Sequence, residues 1–119
     1  MAVSELPFRF PEKIEFDDYN RMWFATTDGL FYKHGDQIYP FETKLDGQES
    51  RFTDLIYDPT SRVLFTSSTN GVSAIKTESL DTELVYFDKE KMQERLTKKL
   101  AINGIGTLFI GSDNHFNKY

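Results

Sequence analysis

Large apolar residues alternate with polar ones in short runs along this chain, and turn formers bound each run. Ile14-Glu15-Phe16 and Gln37-Ile38-Tyr39 are typical, and Asp, Asn, Gly and Pro punctuate them. A period of two with aromatic and β-branched residues predicts strands, and the punctuation predicts tight turns.

The runs repeat. Arg21-Met22-Trp23-Phe24-Ala25-Thr26-Thr27-Asp28-Gly29-Leu30-Phe31 is matched by Arg62-Val63-Leu64-Phe65-Thr66-Ser67-Ser68-Thr69-Asn70-Gly71-Val72. A third version reads Thr107-Leu108-Phe109-Ile110-Gly111-Ser112-Asp113-Asn114-His115-Phe116. Aligned on Trp23, Leu64 and Leu108, the copies stand 41 and 44 positions apart. That is the period of one four-stranded propeller blade. Asp28-Gly29 and Asn70-Gly71 are hairpin signals, because glycine takes positive φ without penalty. Asp113-Asn114 fills the same place in the third copy, and Asn tolerates that conformation best among the other residues.

A preceding strand also repeats at residues 14–18, 55–59 and 100–104, each time running into a tight polar turn with Asp or Asn. The expected blade is therefore strand a, strand b and strand c, with c at 30–33, 72–76 and 115–119. An outer strand d follows at 37–42 and 83–88. The third copy has none, and residues 6–12 carry a similar pattern. Pro7 and Pro40 suit an outermost strand, which need not donate on its free side.

The expected fold class is thus all-β: a β-propeller with three blade repeats per chain. Residues 1–12 are the closing outer strand, 13–44 blade 1 and 50–88 blade 2. Residues 89–100 form a connector and 100–119 blade 3. Three blades are too few to close a ring. Homodimerisation to six blades would close it, the N-terminal strand of each chain completing the partner's third blade. Leu6, Phe8, Phe10, Phe116 and Tyr119 are the residues expected to make that closure.

The core of the repeat resembles the two-component regulator propeller repeat, which reads roughly Asp-x-x-Gly-x-Leu-Trp-Ile-Gly-Thr-x-x-Gly-Leu. Residues 103–114 are similar to it throughout, and residues 22–31 supply the Trp and the Gly-Leu-Phe ending. The middle copy departs from it, with Leu64 for Trp and Val72 for Leu. In that family the repeats build extracytoplasmic sensor propellers, so the resemblance implies a ring that binds a ligand or partner.

Composition narrows the function classes. The 119 residues include eleven Phe, six Tyr and one Trp, ample for a core. The formal net charge of -5 disfavours general affinity for nucleic acid or an anionic membrane. Cysteine is absent, which excludes disulfides and thiolate metal sites. Residues 1–7 lack the basic and apolar parts of a signal peptide, and no segment is long and apolar enough to span a bilayer. These features predict a cytoplasmic chain without membrane contact, of the kind a viral or bacterial accessory protein would be.

No catalytic or cofactor motif is present, and the expected function is non-enzymatic binding. Thr26, Thr27, Asp28, Ser67, Ser68, Asn70, Ser112, Asp113 and His115 fall in or beside the b–c turns. They are expected to ring a channel mouth that receives a protein partner or a small polar ligand. Asp113 with His115 also suggests acid–base chemistry, although a solvated turn explains both. Asp17, Asp18 and Asn20 make an oxygen-rich turn that could hold calcium, although turn chemistry explains it too. Residues 88–100 have apolar positions 92, 96 and 100 at helical spacing, which suggests a short amphipathic helix between blades two and three. That segment concentrates Lys89, Lys91, Arg95, Lys98 and Lys99, a candidate contact for an anionic partner. One alternative reading is a fragment of a larger ligand-sensing propeller of a bacterial two-component sensor.

Overall fold

A computed structural model of the chain describes residues 8, 10–43, 51–68, 71–86, 99–104, 106–112 and 115–118. Eleven strands and no helix lie among these residues. They are β1 (Pro11–Phe16), β2 (Met22–Thr26), β3 (Gly29–His34), β4 (Gln37–Phe41), β5 (Phe52–Asp58) and β6 (Val63–Ser68). There follow β7 (Gly71–Lys76), β8 (Thr82–Tyr86), β9 (Lys99–Ile102), β10 (Leu108–Ser112) and β11 (His115–Lys118). They form three antiparallel sheets in chain order: β1-β2-β3-β4, β5-β6-β7-β8, and β9-β10-β11. Every sheet is a plain meander, so the three repeats fold as three equivalent units. The first strands lie innermost, with β5 against β1 and β9 against β5.

The hairpin chemistry is as expected. Gly29 and Gly71 take φ of 131° and 147°, conformations that a side chain would strain. Pro40 lies in β4, an outer strand with one unpaired side.

Each sheet offers one face to the sheet before it and one to the sheet after. Trp23, Ala25 and Leu30 of the first sheet pack on Leu55, Leu64 and Ile75 of the second, with Tyr32, Phe41 and Tyr57 at the margin. Trp23 stacks at 4.9 Å from Tyr32 and meets Phe41 edge-on at 5.2 Å. The other face of the second sheet, built on Val72, Ile56 and Phe65, covers Leu108, Ile110 and Leu100 of the third.

The faces correct the repeat alignment. Trp23 pairs with Glu15 and points at the following sheet. The residue in the same place in the second sheet is Phe65, paired with Ile56, and in the third it is Phe109, paired with Ala101. Leu64 and Leu108 point the opposite way, at the preceding sheet, and correspond to Met22. The sequence alignment had slipped by one residue, which in a strand exchanges the two faces. The extra residue lies in the turn after Asp58, which runs one position longer than the turns after Asp17 and Asn103. Positive φ marks the shared place: Asn20 at 60°, Arg62 at 58° and Gly106 at 86°.

Two boundaries also change. Pro11 and Glu12 were assigned to a closing outer strand, but they open β1, and Pro11 sits opposite Thr26. A register irregularity between Pro11 and Lys13 eases the proline into this position. Lys99 and Leu100 belong to β9 rather than to a helix, and Leu100 packs against the second sheet. The rest of the expected helix, with Lys89, Lys91, Arg95 and Lys98, lies outside the described residues, as do Leu6 and Tyr119.

Leu64 is wholly buried between the first two sheets, whereas Leu84 is 46% exposed. Leu64→Ala should cost about 2–5 kcal/mol. Leu84→Ala should stay within about 0.5 kcal/mol. Urea unfolding of both variants checks the contrast.

Candidate functional site

The meander places the turns at two ends. One end carries the b–c hairpins at 26–29, 68–71 and 112–115. The opposite end carries the a–b turns at 17–21, 58–62 and 103–107, with the c–d turns at 34–37 and 76–82.

At the hairpin end, the residues expected to ring a mouth separate into two groups. Thr26 is buried, its hydroxyl donates to the Gly29 carbonyl at 2.7 Å and accepts from the Asp28 amide at 3.0 Å. Ser67 is buried, with its hydroxyl 3.1 Å from that of Thr53. Ser68 is buried, and its hydroxyl reaches the Gly71 carbonyl at 3.4 Å. These three shape the hairpins from inside. Thr27 and Asp28 are exposed and remain able to meet a ligand. Ser112 and His115 face each other in the backbone register of β10 and β11. Asn70 and Asp113 lie outside the described residues.

The opposite end holds a denser polar cluster. The Asp17 carboxylate is fully buried and accepts four hydrogen bonds. The donors are the Tyr19 amide (2.8 Å), the Arg21 amide (3.1 Å), Arg21 Nε (2.7 Å) and Trp23 Nε1 (2.9 Å). Arg21 Nη2 continues to the Thr77 carbonyl on the second sheet. Asp18 makes the second crossing: Thr77 Oγ1 donates to it at 2.7 Å, and Arg62 Nε donates at 2.7 Å. Arg62 also donates to the Tyr19 hydroxyl at 3.0 Å, and the guanidinium groups of Arg21 and Arg62 lie 5.0 and 5.7 Å from the Tyr19 ring. The Arg62 carbonyl accepts from the Thr77 amide at 3.2 Å.

This clasp accounts for the oxygen-rich turn. Asp17 and Asp18 are committed to arginine, threonine and backbone donors, and Asn20 supplies the left-handed step of the turn. It also holds Arg62 in a conformation unusual for a residue with a Cβ, a strain of order 1 kcal/mol or more. The hydrogen bonds from Thr77 and then Arg62 hold the Asp18 carboxyl well below the usual carboxylate range. Burial, reinforced by the negative charge of Asp18, pushes the Tyr57 hydroxyl upward. That hydroxyl is buried and makes no hydrogen bond of ordinary geometry among the described residues.

Thr66 and Ser73 share that condition. Their hydroxyls are buried without a partner among the described residues, and the two residues are directly paired across β6 and β7. All three hydroxyls belong to the face of the second sheet that meets the first.

No protein-family model matches the chain, and neither does any curated protein. Solved structures do. One is the extracellular domain of the one component system BT4673 from B. thetaiotaomicron, with a TM-score of 0.80 and 18% identity over 96% of this chain. Another is the extracellular domain of the hybrid two component system BT4673 from B. thetaiotaomicron, with a TM-score of 0.81 and 17% identity over 96% of this chain. The chain spans 15% of the length of each. At this identity the likeness is one of fold. It nevertheless overturns the expected cytoplasmic location, since both neighbours are extracellular domains. That expectation rested on composition, on the want of a long apolar segment and on residues 1–7, and features of one stretch of sequence do not locate a protein.

Two outcomes test the clasp. Asp17→Ala strands a buried arginine and an indole N–H and should cost about 3–5 kcal/mol in chemical denaturation. Asp18 titrates lower folded than unfolded, so its contribution is complete above about pH 4 and fades as the pH falls. The stability gap between the natural chain and Asp18→Asn should therefore hold above about pH 4 and narrow progressively as the pH falls below it. A gap independent of pH would show that the Asp18 charge is not what binds Arg62 and Thr77.

Proposed function

We propose that this chain is the blade-forming part of a ligand-sensing β-propeller that works outside the cytoplasm. The carrying observation is the fold likeness over 96% of the chain to extracellular domains of one- and two-component systems. The sheet arrangement supports it. Three sequential meanders stack face to face with their first strands β1, β5 and β9 innermost, as blades do around a channel. In this reading the ring has more blades than the three sheets supply.

The ligand site is the hairpin end. Thr27 and Asp28 offer a hydroxyl and a carboxylate there. The a–b end is less suited, because its charges already neutralise one another. A small polar ligand that donates hydrogen bonds fits the hairpin set.

Mass spectrometry of small molecules released by heating the purified protein identifies the ligand directly. Thr27→Ala with Asp28→Ala should weaken its binding at least about tenfold, a loss of about 1.4 kcal/mol. Thermal stability should change little. Undiminished affinity in the double variant would remove the hairpin end as the site.

A further inference from the structure

Thr66 and Ser73 carry hydroxyls that the fold buries without giving them a partner. The two residues are 0% and 1% exposed, and neither oxygen has a hydrogen bond among the described residues. Both lie on the face of the second sheet that meets the first, two residues along from Leu64 and Ile75. The other sheets put apolar groups at these places. By register, Phe24 and Phe31 of the first sheet correspond to Thr66 and Ser73, and Phe8 stacks on both rings. Ile110 takes the place of Thr66 in the third sheet and is also buried. The second sheet thus sets two hydroxyls where the first sheet has two rings.

The neighbouring side chains are small as well. Ser68 and Gly71 follow on the same face, two residues nearer the hairpin, and stand opposite each other in register. The Ser68 hydroxyl reaches the Gly71 carbonyl, and Gly71 has no side chain. Leu55, opposite Thr66 on β5, belongs to one cluster with Ala25 of the first sheet. Small groups therefore stand beside the two oxygens on the second sheet, and the first sheet adds Ala25 to the same contact.

We propose that Thr66 Oγ1 and Ser73 Oγ hold one internal water molecule between the first and second sheets. A hydroxyl has one donor and two acceptor lone pairs, and leaving them all unused in an apolar contact is costly. Side chains opposite each other on neighbouring strands stand about 5 Å apart at Cβ. One water spans such a gap with two hydrogen bonds of about 2.8 Å. Buried waters occur where roughly two to four polar groups converge in this way. The water lies one row beneath the hairpin at 68–71 and ties β6 to β7, in the place that Phe24 and Phe31 take in the first sheet. It does not depend on the ligand proposed for the hairpin end.

A crystal structure of the natural chain should show one ordered water about 2.8 Å from each of the two oxygens. Stability measurements read the same site independently. Thr66→Val keeps the side-chain shape while removing one hydroxyl, and it should lower the folding equilibrium constant about fivefold. Ser73→Ala should do the same, because either change leaves the other hydroxyl with a water that has lost a partner. The double variant should be no less stable than either single one, since no hydroxyl is then left behind. Urea unfolding of the four chains measures this coupling. Two oxygens bonded directly to each other, or a crystal structure in which no water touches them, would overturn the proposal. So would single substitutions that leave stability unchanged or raise it and simply add in the double variant.

Discussion

Both faces of the second sheet are apolar, and covering them organises the rest of the molecule. Leu55, Leu64 and Ile75 on one face and Val72 on the other are at most 1% exposed. A meander of four strands cannot bury two faces by itself, so each sheet needs neighbours on both sides. Burial at about 25 cal/mol per Å² of apolar surface makes this the main favourable contribution, and it carries little directional information. Direction comes from register. The alternation of side chains decides which residues meet the preceding sheet and which the following one.

Polar contacts refine what apolar packing permits. Asp17 ties the first a–b turn to Trp23, so the turn and the largest core residue are placed together. Arg21 and Asp18 then reach Thr77 and Arg62, which sets the angle between the first two sheets. The link between the second and third sheets is slighter: Asp54, buried on β5, accepts the Leu100 amide at 2.8 Å. Removing a partner from the Asp17 cluster leaves a buried charge unpaired, which is why this clasp outweighs the exposed pair Arg51–Glu12.

The strands, their order and the three-fold repetition were legible in the chain, because period-two alternation and Asp-Gly or Asn-Gly hairpins report local geometry. The face assignment was not. A one-residue insertion after Asp58 is invisible where Arg21 and Arg62 offer a tempting match, and only cross-strand pairing shows that Trp23 corresponds to Phe65. The clasp was missed for a related reason. Arg21 and Arg62 open the two matched segments, although they stand in different places in the fold and perform different tasks. Thr26, Ser67 and Ser68 were correctly placed at the hairpins, but composition could not reveal that their hydroxyls turn inward.

The two ends of the stack therefore differ in what they can still do. At the a–b end, charge meets opposite charge: Asp17 and Asp18 against Arg21 and Arg62, with Thr77 between them. A ligand arriving there would have to displace short hydrogen bonds already made, at a cost comparable to what it could gain. At the hairpin end the buried hydroxyls satisfy the turn backbone, which frees Thr27 and Asp28 from any structural duty. Polar groups that are exposed, rigidly held and not needed for folding are those a binding surface can use without loss of stability. If the chain senses a ligand as proposed, the turn geometry, more than the residue types, is what favours the hairpin end for recognition.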